Sequence, residues 1–124
     1  MISGVVDRTG TPVIRLVVAG FAYDAVIDTG FNGDLELPET LRKYVNPRFE
    51  FQAISQLAAG VTVEDDIYSV DFPFDGNVMR AEATFVDGGG ILIGTRLLRG
   101  YRLLIDFSPP DSPSQGRVQL QRIE

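Results

Sequence analysis

The sequence predicts a small all-β domain, and three observations predict it. Short strand-like runs rich in Val, Ile and Leu recur along the chain. Turn pairs separate most of them: Ala19-Gly20, Asn32-Gly33, Asp75-Gly76 and Asp87-Gly88. Gly 13 and Pro 7 within 124 residues supply further turns, and 44% apolar residues suffice for one core.

The elements follow in order. Residues 4–7, 13–18 and 21–28 read as strands broken by turn residues. Pro38 suits the first turn of a short helix over 38–44. A strand-like stretch then leads to Gln56-Leu57-Ala58-Ala59-Gly60-Val61, whose small residues suit a bend before a long strand over 60–74. Strands over 78–86 and 91–93 follow. Thr95 can cap, and Gly100 terminate, a second short helix over 95–99. The last two strands, 102–107 and 117–123, flank the loop Pro109-Pro110-Asp111-Ser112-Pro113-Ser114-Gln115-Gly116 and should pair across it. The final segment alternates polar and apolar as far as Gln121 and then slips by one residue. No composition shift divides the chain, so residues 1–124 are expected to form a single domain.

Composition removes several chemistries. Without cysteine there is no disulfide framework, thiol nucleophile or thiolate metal site. Without histidine there is no Ser-His or Cys-His catalysis, so acid–base work falls to carboxylates. A net charge of -6 with scattered basic residues argues against nucleic-acid binding. No apolar run reaches membrane length and the first residues lack the basic start of a secretory signal, so a cytoplasmic protein without membrane contact is expected. Neither a metal nor a cofactor is expected. Glu64-Asp65-Asp66 lacks the ligand spacing of a calcium loop, and Gly88-Gly89-Gly90 is not followed by the Gly-Lys-Ser or Gly-Lys-Thr of a phosphate loop.

One motif carries chemistry. In Ala25-Val26-Ile27-Asp28-Thr29-Gly30 a carboxylate stands at the end of an apolar run, and the glycine after it lets another backbone approach closely. A strand ending in an Asx-type turn would give the same letters. A second apolar run ending in glycine, Ile91-Leu92-Ile93-Gly94, is followed by Leu97-Leu98. In order and spacing the two runs resemble the retropepsin-like aspartic proteases, half-size relatives of the pepsin group. The chain is most similar to their small prokaryotic members, in which phenylalanine follows Asp-Thr-Gly. The resemblance extends over residues 4–107.

The resemblance implies a small closed β-barrel with one or two short helices, and an aspartic endopeptidase activity. Two aspartates would hold one water, and the chain has a single Asp-Thr-Gly. The active species would therefore be a homodimer in which Asp28 meets its own copy at a two-fold axis. It further implies that Thr29 hydrogen-bonds across that axis and that Gly30 offers its carbonyl to a peptide or protein substrate. Phe31 and Asn32 would stand beside the substrate. Ala58, Ala59 and Gly60 would form the tip of a mobile flap over it, although an ordinary hairpin turn fits those residues equally. Ile93 and Gly94 would support the loop bearing Asp28. The chain departs from the pepsin-like and retroviral pattern at Phe31, where those relatives usually carry Ser, Thr or Ala. It departs again at Asn32 and Thr95, where retroviral relatives place an acid and an arginine; Arg96 is the candidate substitute. Two other functions fit the same residues: a non-catalytic barrel that binds peptides or a partner in its groove, and a structural domain in which Asp28 only closes a turn.

Overall fold

The computed structural model describes residues 1–123. Its strands are β1 (Ile2–Val6), β2 (Pro12–Val18), β3 (Phe21–Ile27), β4 (Leu35–Pro38), β5 (Arg48–Gln56), β6 (Thr62–Phe74), β7 (Asn77–Val86), β8 (Ile91–Ile93), β9 (Tyr101–Asp106) and β10 (Gly116–Arg122). All lie in one ten-stranded sheet with the order β5-β6-β7-β4-β8-β3-β2-β1-β10-β9. A 3-10 turn (Glu39–Leu41) and the short helix α1 (Arg42–Val45) fill the gap between β4 and β5.

Turn chemistry explains the hairpins. Ala19 (φ 52) and Gly20 (φ 83) join β2 to β3, and Asp75 (φ 52) and Gly76 (φ 84) join β6 to β7. Two successive residues with positive φ match the right-handed twist of the flanking strands, and glycine takes the second position without steric cost. Pro73, which has no N–H to donate, is exposed on a stretch of β6 beyond its pairing with β5, while Phe72 and Phe74 on either side are buried.

The centre of the sheet positions the site. β8 inserts between β3 and β4, parallel to β3 and antiparallel to β4, and β4 runs parallel to β7. The segment connecting β3 to β4 must therefore step over the end of β8, and it is this segment that carries Asp28. One face of these strands supplies the core through Ala25, Ile27, Leu35, Leu37, Ile91 and Ile93, joined by Ile14 and Leu16 from β2, Phe72 from β6 and Val118 and Leu120 from β10. Burying each large aliphatic side chain contributes about 1.5–3 kcal/mol.

Several expectations need correction. The chain is all-β as predicted, but its hydrogen-bonded order has two ends, β5 and β9, so the sheet is not a closed barrel. It curls instead: β2 packs across β6, and Phe74 meets Tyr101 of β9 edge-to-face at 5.7 Å. Residues 95–99 form turns and no helix. Arg99 N–H donates to the Arg96 carbonyl at a long 3.4 Å and Tyr101 N–H to the Leu98 carbonyl at 3.0 Å, bonds between residues three apart that close turns and not an α-helix. The first helical segment starts one residue later than expected, because Pro38 is extended (φ -61, ψ 141) and ends β4. It stops where Asn46 turns left-handed (φ 48), just before Pro47. β10 pairs with β9 as expected, and it also pairs with β1. Among the described residues no helix is long and apolar enough to cross a membrane.

Candidate active site

The Asp28 loop is held by backbone bonds on both flanks. Asp28 extends the β3–β8 ladder by one step, its N–H donating to the Ile93 carbonyl at 2.9 Å. The chain then turns, with Phe31 N–H donating to the Asp28 carbonyl at 3.1 Å. On the far side Gly94 N–H reaches the Asp34 carbonyl (3.0 Å), Thr95 N–H the Phe31 carbonyl (2.8 Å) and Arg96 N–H the Gly33 carbonyl (3.2 Å). Two loops distant in sequence are thus sewn together at the end of the sheet.

That seam needs glycine at 94. A Cβ there would lie 2.1 Å from the Gly33 carbonyl oxygen and 2.8 Å from the Phe31 ring, far inside van der Waals contact. Phe31 itself is half-buried, and its ring lies close over Gly33 and Gly94. It also lines a cavity of about 70 Å³ together with Leu35, Ile67, Ala83 and Thr84.

The carboxylate is accessible. Asp28 is half-buried, and its Oδ1 accepts the Gly30 N–H at 2.9 Å, which is the Asx-type turn that the letters allowed. Among the described residues Oδ2 has no partner, so one oxygen is free to hold a water or a second carboxyl. Thr29 and Gly30 are exposed and face away from the core.

The surrounding charges are paired internally. Asp34 is buried; its Oδ2 accepts the Glu82 N–H at 2.9 Å, and its Oδ1 lies 3.9 Å from Arg96 Nε. Arg96 also pairs with the Glu82 carboxylate. Arg96 therefore ties the loop to β7 through Asp34 and Glu82, one residue after the position where the retroviral pattern places its arginine. In place of that acid–arginine pair, Thr95 Oγ1 sits 3.4 Å from the Phe31 carbonyl and 3.5 Å from Asn32 Oδ1, a neutral contact at the limit of hydrogen bonding.

Comparison with known proteins bears on this arrangement. No family model matches the chain, and no curated protein matches it significantly. Among solved structures, the crystal structure of a retropepsin-like aspartic protease from Rickettsia conorii superposes with a TM-score of 0.55, covering 94% of this chain and 88% of that one at 14% identity. The chain has the retropepsin-like fold. At that identity the likeness speaks for the fold alone.

Within the retropepsin-like fold the structure brings Asp28, Gly30, Phe31, Ile93 and Gly94 together, with Asn32 at the outer edge against Thr95. Ala58, Ala59 and Gly60 lie apart at the tip of the β5–β6 hairpin, where Ala59 (φ 65) and Gly60 (φ 76) turn the chain and Leu57 N–H closes the bend on Val61 (2.7 Å). Among the described residues no hydrogen bond links this tip to the Asp28 loop. Sequence reasoning missed Asp34. The Asn32-Gly33 turn signal pointed to the loop, but the partners Glu82 and Arg96 are distant in sequence. No group of three or more potential metal ligands occurs among the described residues.

Proposed function

We propose that the protein is an aspartic endopeptidase acting as a homodimer, with one Asp28 from each subunit. The observation that carries this reading is an accessible carboxylate with one free oxygen, held in a rigid loop at the end of β3 in a retropepsin-like fold. A single chain offers one such loop, and two-fold symmetry is the simplest way to supply the second.

In the dimer the two carboxyls would share one proton. Two like charges ~3 Å apart at an effective dielectric of ~20 repel by roughly 5 kcal/mol, about four pK units, so double ionisation is strongly disfavoured. The ionised member takes a proton from water while the water oxygen attacks the scissile carbonyl carbon. The protonated member donates to the carbonyl oxygen as charge develops there. Collapse of the tetrahedral intermediate breaks the C–N bond, and the amine leaves with a proton returned by the pair. Cleavage should accordingly follow a bell-shaped pH profile whose limbs belong to the pair. Thr29 would bond across the axis, Gly30 would present its carbonyl to an extended peptide, and Ala58 to Gly60 would close over it.

Cleavage of an unfolded protein by the wild type and by Asp28→Asn, from acidic to neutral pH, tests the assignment. The substitution should remove activity by a factor of about 1,000 or more, as expected when an essential acid–base group is lost. Equal cleavage by both proteins would remove the enzyme reading.

A further inference from the structure

Five side chains stand directly opposite one another across the centre of the sheet: Thr84 on β7, Glu36 on β4, Leu92 on β8, Val26 on β3 and Val13 on β2. Each is half-buried and each is next in sequence to a fully buried core residue, so the row lies on the face opposite the core. Asp28 lies two residues beyond Val26 on a ladder that its own N–H continues, which places it on the same face at the border of the row. Strands are ~4.8 Å apart and rise ~3.3 Å per residue, so Glu36 stands about 10 Å across the sheet from Val26 and about 12 Å from the Asp28 position, the span of roughly three to four extended peptide residues.

Glu36 is the one charged member of this row. Among the described residues it has neither an ion pair nor a side-chain hydrogen bond, whereas its neighbours Asp34 and Glu82 both engage Arg96. Burial holds its carboxyl above the usual carboxylate range, and the negative charges of Asp28 and of Asp65 on β6 add to the effect. A carboxylate in that setting lacks a cation, and the half-buried Leu92 beside it, with Val26 one strand further, offers an apolar surface for a long aliphatic stem. Lysine and arginine combine the two, an apolar stem ending in a charged head.

We propose that Glu36 is a specificity-determining residue that receives a lysine or arginine side chain of the peptide substrate within a few residues of the scissile bond. The proposal rests on the endopeptidase reading for the path of the peptide along this face. The cation would gain a charge-assisted hydrogen bond in a partly desolvated place, which makes the contact selective against neutral side chains of similar length.

The test uses unstructured peptides that differ at a single position among the residues flanking the cleaved bond, carrying lysine, arginine, norleucine or glutamate there. Binding to the full chain is followed by fluorescence anisotropy at neutral pH, and cleavage of the same peptides is followed separately. The wild type should bind the best-placed lysine or arginine peptide about fivefold or more tighter than its norleucine counterpart, a difference typical of a partly buried ion pair. Glu36→Gln should erase that ratio, and Glu36→Asp should keep part of it. A ratio unchanged in Glu36→Gln, no preference at any position in the wild type, or no measurable binding would each overturn the proposal. Binding preference without Asp28-dependent cleavage would instead remove the endopeptidase reading and leave Glu36 as a peptide-selecting residue.

Discussion

Gly94 is where the chemistry of the site meets the packing of the fold, because the Asp28 loop and the β8 end approach closely enough there to exclude even one methyl group. Gly94→Ala should cost roughly 2–4 kcal/mol, since the obstacle is the Gly33 carbonyl and cannot rotate away. A urea midpoint unchanged from wild type would show that the seam is looser than its distances indicate. Much of this residue-scale organisation was legible in the sequence. An apolar run ending in Asp-Thr-Gly and a later one ending in glycine pointed to the two loops that the structure joins. What stayed illegible were contacts made by chain segments far apart: the buried Asp34 with Glu82 and Arg96, and the row that puts Glu36 on the same face as Asp28. Strand alternation tells which residues share a face of one strand, but only the register between strands tells which residues become neighbours.

Among the elements, the β6–β7 hairpin does more than reverse the chain. The Asp75 carboxylate at its turn accepts a hydrogen bond from the Tyr101 hydroxyl at 3.0 Å, and Arg122 of β10 reaches the same hydroxyl at 3.0 Å. These contacts hold the turn against β9 and β10, so they support the curl of the sheet. The bond from Tyr101 is the main reason that the Asp75 carboxyl lies below the usual carboxylate range. A group whose folded value is depressed stabilises the fold above its unfolded value, about 3.9 for aspartate, and loses that contribution as pH falls through the folded one. Asp75→Asn should therefore lower the melting temperature at neutral pH, and the gap to wild type should narrow progressively below about pH 4. A gap independent of pH would assign the effect to shape and not to charge. At this scale the sequence was a partial guide. The hairpin turns carry strong signals in Ala19-Gly20 and Asp75-Gly76, but β4 spans only Leu35–Pro38 and becomes a strand because β7 and β8 pair with it from either side. Residues 95–99 have helical letters, but the backbone bonds at the end of the segment run between residues three apart, Arg99 to Arg96 and Tyr101 to Leu98, so it closes as successive turns and not as a helix.

At the scale of the whole molecule, the sheet order follows from long-range pairing that no local pattern encodes, and the two ends of the sheet, β5 and β9, remain unjoined. The retropepsin-like fold presents one Asp28 per chain, so the proposed chemistry belongs to an assembly of two copies. Subunit mixing tests this most directly. Wild-type protein at a fixed concentration is equilibrated with increasing amounts of Asp28→Asn, and cleavage of an unfolded substrate is measured. With a shared site, each variant chain that pairs with a wild-type chain removes a working dyad. A ninefold excess should then lower activity to about a tenth of its starting value if the chains pair at random. Activity that stays constant across the titration, while co-purification with an affinity-tagged variant shows that mixed dimers form, would contradict a site built from two Asp28 carboxylates.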